Sequence, residues 1–203
     1  MVEIIDNCAQ FTATLVCCAV SGVFCFRRRS VELFLLTSFY GCFALGLLYW
    51  TLYLVLFSST PDAFYVSEII WLSSCIFLYL LQYTIQGEHG RAVRSRAVWI
   101  APVLGAVMLA FFCVFGSDIP AALLRCCFMT ALAWGAIRGL AAGVRRNFHV
   151  AVLCFVGAEY ALWASSVHWM GDTLANPYFW IDFTLTGVLI SILPASGEAV
   201  KQP

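Results

Sequence analysis

Long apolar runs, each near the length of one bilayer crossing, follow one another along this chain with only short polar breaks between them. A hydrocarbon core about 30 Å thick needs about 20 apolar residues in a helix. Such runs fall at 8–26, 31–57, 64–86, 97–115, 119–141, 148–170 and 177–194. Seven runs predict seven transmembrane helices in an all-α polytopic bundle, because lipid offers backbone N–H and C=O groups no partner except each other. The longest polar gap, around Gly87 to Arg96, is too short for a water-soluble domain, so 1–203 reads as a single integral membrane domain.

Composition agrees with that pattern. Of 203 residues, 63% are hydrophobic and 11% charged, a balance that would leave a soluble domain with large wetted apolar patches. The start, MVEIIDNCAQ, is acidic rather than basic, so the first run reads as a permanent helix and not a cleavable signal. The formal net charge of zero argues against nucleic acid as a partner. The expected partners are the lipid bilayer, an unidentified small molecule or ion, and a second copy or a cytoplasmic protein.

The cations add direction. Of 11 Lys and Arg residues, ten fall at or after the ends of the first, third, fifth and seventh runs: Arg27, Arg28, Arg29; Arg91, Arg94, Arg96; Arg138, Arg145, Arg146; and Lys201. Cationic loops stay in the cytoplasm, which predicts an amino terminus outside and a carboxyl terminus in the cytoplasm. Short loops on the opposite side place a capping residue beside a proline in Thr60-Pro61, Asp118 with Pro120, and Asn176-Pro177. Proline suits a first helical turn, whose N–H has no helical acceptor, so helices 3, 5 and 7 are expected to start abruptly there. Trp50, Tyr53, Tyr65, Trp169, Tyr178 and Trp180 crowd the same side as an interfacial belt.

Two features concern packing. Ala131, Gly135, Gly139 and Gly143 recur every fourth position in helix 5 and form a stripe for close helix approach, within the bundle or between copies. The 10 cysteines show no CxxC or Cys/His spacing, so neither a metal site nor a cofactor is expected and the thiols read as small apolar fillers.

Ionisable residues at membrane depth are expensive and need a partner or a purpose. Glu68, Arg125, Asp182 and His168 lie toward the outer ends of helices 3, 5, 7 and 6, and Glu159 lies near the middle of helix 6. Arg125 is expected to pair with Asp182 or Glu68, since an unpaired buried charge is costly. At 100° per residue, Glu68, Cys75, Tyr79 and Gln82 share one face, as do Glu159, Trp163 and Ser166, while Asp182 and Thr186 are one turn apart. Facing stripes of this kind would line an outward-open polar cavity floored by Glu159, whose charged form burial disfavours.

Helices 2–3 and 6–7 echo one another. GLLYWTLYLVLFSSTPDAFYVSEIIW and GAEYALWASSVHWMGDTLANPYFWIDF each carry Gly, Tyr, Trp, a loop with Pro, Tyr and an acid in order. The echo resembles the parallel three-plus-one-plus-three arrangement of sugar-channel and PQ-loop transporters. The stretches FYGCFALGLLYWTLYLVLFSSTPDAFYVSEIIW and EYALWASSVHWMGDTLANPYFWIDF also resemble an uncharacterised family of bacterial multi-pass membrane proteins, which implies an inner-membrane location and no particular chemistry. The run WIDFTLTGVLISIL is similar to the last helix of microbial rhodopsins in its aspartate, but Thr186 stands where the retinal lysine would be, and a Schiff base is excluded.

Three function classes follow. One is a small-solute or proton-coupled transporter built on Glu68, Arg125, Glu159, Trp163, His168, Asp182 and Thr186. The alternative is a membrane sensor or interaction module that signals through a separate cytoplasmic partner. Last comes a lipid hydrolase using Glu159, Asp182 and His168, against which stand the lack of a nucleophile motif and of an HExxH arrangement.

Overall fold

The computed structural model describes residues 1–57, 59, 65–116 and 118–201, with the side chains of Tyr65, His89 and 198–201 left aside. The helices are α1 (Val2–Arg28), α2 (Val31–Phe57), α3 (Tyr65–Ala92), α4 (Ile100–Phe115), α5 (Ile119–Ala141), α6 (Arg146–Ser166) and α7 (Pro177–Lys201). All seven regions are long and apolar enough to cross a membrane. Among the described residues there is no strand. The chain is an all-α seven-helix bundle of the multi-pass membrane type.

Helix ends follow local chemistry. Asp118 caps α5 by accepting from the Ala121 N–H at 3.0 Å, with Pro120 in the first turn. Asn176, fully buried, accepts from the Tyr178 N–H at 3.1 Å and donates to the Gly171 carbonyl at 3.0 Å. The Thr60-Pro61 cap lies outside the described residues. α3 runs on past the apolar run as far as Ala92, with a break at Gly87, whose φ of 61° suits glycine. α1 starts at Val2, ahead of the apolar run proper, and so takes Asp6 into the bundle.

Consecutive helices alternate in direction. The beginnings of α1, α3, α5 and α7 therefore gather at one end, called here the N-terminal end, and the arginine loops gather at the other. The neighbour relations form a closed ring: α1 packs on α2, α2 on α3, α3 on α5, α5 on α6, α6 on α7, and α7 on α1. α4 sits outside the ring against α5. This ring maps onto itself when α1, α2 and α3 are exchanged for α5, α6 and α7. In that exchange α4 is the odd helix.

The middle of the ring is apolar. Phe39 and Phe43 of α2 meet Phe155 of α6 edge-on, with ring centroids 6.0 and 6.4 Å apart. Leu36, Leu78, Met129, Leu132 and Val152 close around them, and all are almost fully buried. Tyr40 is buried beside this plug and satisfies its hydroxyl by donating to the Leu189 carbonyl at 2.7 Å. The outward-facing Val and Leu side chains of α4, such as Val103 and Val107, are exposed, as expected where lipid is the solvent.

Candidate functional site

Polar side chains collect on both sides of the phenylalanine plug. At the N-terminal end, Glu68 sits in the first turn of α3 and Arg125 nearly two turns into α5. The two helices run parallel and touch, so their side chains meet: Arg125 Nε donates to Glu68 Oε2 at 2.9 Å and its Nη2 bonds Oε1. The guanidinium lies over the Trp163 ring of α6, 5.3 Å from its centroid. Of the two pairings expected for Arg125, the fold selects Glu68.

Asp182 belongs to a second pair. It is buried, accepts from Gln10 Nε2 at 2.6 Å, and faces Asp6 in hydrogen-bonding contact. Gln10 also reaches Thr186 Oγ1 at 3.2 Å, and Thr186 donates to the Asp182 carbonyl. Neither carboxyl oxygen of Asp6 has a donor, although the residue is only 1% exposed. Two carboxylates only accept, so this contact becomes a bond when one of them carries a proton. Glu3, a turn before Asp6, accepts from Trp50 Nε1 at 3.3 Å, and its own N–H donates to Asp172 at 2.8 Å.

Glu159 lies between the pairs. Its side chain is buried one turn from Phe155, within electrostatic reach of Asp182 on one side and of Arg125 and Glu68 on the other. Its carboxyl has no hydrogen-bond partner among the described residues. The phenol of Tyr178 is within reach of Asp6, Asp182, Glu3 and Glu159, which draws that residue out of the expected interfacial belt and into the site. Among the described residues no three His, Cys, Asp or Glu side chains converge as metal ligands would.

Several expected members fall elsewhere. His168 is exposed beyond the end of α6, its ring 6.2 Å from Phe115. The helix stops at Ser166, short of the outer end of the run at which His168 was expected. Ser166 is exposed and turns back to the Trp163 carbonyl. Tyr79 leaves the α3 stripe and lines a lipid-side groove of about 480 Å³ with Pro102, Leu109, Thr130 and Trp134. Glu68, Cys75 and Gln82 keep to the buried face.

The second polar cluster lies at the arginine end, where α3, α5 and α6 meet. Gln82 Nε2 donates to the Leu132 carbonyl at 3.2 Å and lies 3.4 Å from His149 Nδ1. Gln86 Nε2 donates to the Gly135 carbonyl at 2.6 Å, and Arg138 Nη2 reaches Gln86 Oε1 at 3.4 Å. The small-residue stripe of α5 explains how they fit. A Cβ on Gly135 would stand 2.5 Å from Gln82 Oε1, and one on Gly139 would overlap the His149 ring. The stripe receives two polar side chains within the bundle. His149 and Glu159 are ten positions apart on α6, about 15 Å along the axis, with the plug between them.

The chain matches no protein-family model, no curated protein and no solved structure.

Proposed function

We propose that the protein is a proton-coupled membrane transporter in which Glu159 is the carboxyl that loads and releases the proton. One observation carries the reading: a buried carboxyl with no donor stands between an ion pair on α3 and α5 and a carboxyl pair on α7 and α1. A fixed structural acid would be bonded, because an unsatisfied buried carboxylate is among the costliest groups a bundle can hold. A carboxyl that must change its protonation state is better left without a permanent donor.

Two further features support this reading. The acid cluster is confined to the N-terminal end, and the phenylalanine plug separates it from the polar junction at the arginine end. Alternating access needs such a barrier between two polar half-paths. The arginine loops supply the direction: with them in the cytoplasm, Glu159 faces the outside. The sensing alternative has no comparable observation behind it, since it requires an output partner.

The test is proton flux in proteoliposomes that carry a trapped pH-sensitive dye, with the membrane potential clamped by valinomycin. Wild-type protein is expected to dissipate an imposed pH gradient faster than protein-free liposomes. Glu159→Gln should abolish the difference, and Glu159→Asp should keep part of it. Flux through Glu159→Gln at the wild-type rate would overturn the proposal.

A further inference from the structure

Exchange of α1–α3 with α5–α7 places α3 and α5 where α7 and α1 stand. Each of these two helix pairs runs parallel, and each carries an acid about one turn from the N-terminal end: Glu68 on α3 and Asp182 on α7. The acid on α3 holds a guanidinium, that of Arg125, bonded through two nitrogens and lying over the Trp163 ring. The acid on α7 has across from it, on α1, another acid. Asp6 is 1% exposed and neither of its oxygens has a donor. The corresponding positions thus differ by two charges, a cation on α5 against an anion on α1.

We infer that Asp6 and Asp182 form a binding site for a monovalent organic cation of the guanidinium or primary ammonium class, which takes the part that Arg125 plays for Glu68. This deepens the transport reading and rests on it, by naming the substrate class. The surroundings fit N–H donors. Asp182 and Asp6 offer carboxylate oxygens, Tyr178 is within electrostatic reach of both, and Glu3 and Glu159 add negative potential. Arg125, the one Lys or Arg side chain near the site among the described residues, is engaged by Glu68. Bare metal ions fit poorly, because three acid or imidazole ligands do not converge here among the described residues.

The exchange balances in charge. Without ligand, the Asp6–Asp182 contact holds one proton between two carboxyl groups. An entering cation pairs with both carboxylates, and that proton leaves to water. Cation binding and proton release are then one event, as an antiporter requires, with the carboxyl pair a second protonation site beside Glu159.

The experiment is calorimetric titration of the protein in lipid nanodiscs with methylguanidinium, against methylurea as its neutral isostere. It is run in two buffers of different ionisation enthalpy, which reports released protons. Wild-type protein is expected to bind methylguanidinium with release of about one proton and to ignore methylurea. Asp182→Asn should weaken binding about tenfold or more, the scale of one lost charge-assisted contact. Asp6→Asn keeps the side-chain shape and can donate to Asp182. It should stay monodisperse, bind more weakly and release no proton. Methylguanidinium binding no tighter than methylurea, proton release by sodium instead, or full binding in Asp182→Asn would each overturn the inference. If wild-type protein fails to bind while its proton flux still depends on Glu159, the cation site falls and the transport reading stands. If cation binding releases the proton but Glu159→Gln conducts normally, the reverse holds.

Discussion

Replacing Arg125 with Met removes the guanidinium and keeps most of the side-chain volume. What remains is Glu68, with a side chain 9% exposed, in the first turn of a transmembrane helix. Two independent arguments give the size of the loss. An uncompensated charge at membrane depth costs about 2.5–3.5 kcal/mol on insertion scales. Alternatively the carboxyl takes a proton, which for an ordinary glutamate at pH 7 costs about 3.7 kcal/mol. The cheaper route wins, so Arg125→Met should lose about 3 kcal/mol, within the range for breaking a buried pair by removing one partner. The cation–π contact with Trp163 adds less, about 0.5–2 kcal/mol. Equilibrium unfolding in bicelles or mixed micelles measures the loss. Glu68→Gln in the Arg125→Met background removes the stranded charge and should restore all but about 1 kcal/mol. If Arg125→Met lies within 1 kcal/mol of wild type, or the double variant is no better than the single one, the ion pair does not hold α3 to α5 and the reasoning fails.

Gly139→Ala would set a Cβ into the His149 ring; it should cost about 1–3 kcal/mol as overpacking, and adding His149→Ala should relieve part of that loss in the same unfolding assay. If Gly139→Ala is as stable as wild type, the α5 stripe is not a socket for His149. Orientation is checked with single cysteines at Ala92, in the arginine end, and Thr173, in the loop before α7, both exposed. In intact cells a membrane-impermeant maleimide should label Thr173→Cys and spare Ala92→Cys; the opposite pattern would invert the topology and turn the acid cluster to the cytoplasm.

The seven helices were legible because lipid imposes one requirement on every residue of a span, and hydropathy records it directly. The Glu68–Arg125 pair was legible for a related reason. Both residues are rare at that depth, so the list of possible partners was short. Asp6 was missed because it precedes the apolar run of helix 1 and reads as the polar approach to it, and Gln10 because it stands among the first residues of that run. Only the packing of α1 against α7 shows that the helix begins at Val2 and carries both into the bundle. Arg138 was read with the loop cations, while Gln86 and His149, at the edges of their runs, were not singled out. Hydropathy finds where apolar residues stop, whereas a helix goes on while its neighbours still satisfy its polar side chains.

The every-fourth-residue stripe on α5 illustrates a different limit. Its periodicity specifies a flat surface but not what lies on it, and a backbone, a second copy or a polar side chain would all require the same glycines. What decides is the partner's register. Gln82 is two heptads beyond Glu68 on α3, so once Glu68 is tied to Arg125 the buried positions at heptad spacing fall at Cys75 and Gln82. The ion pair at one end therefore sets which side chain of α3 reaches Gly135 at the other. Arg125 bonds an acid near the N-terminal end and thereby places Gln82 against His149 beyond the phenylalanine plug, which links the two polar clusters through one rigid helix.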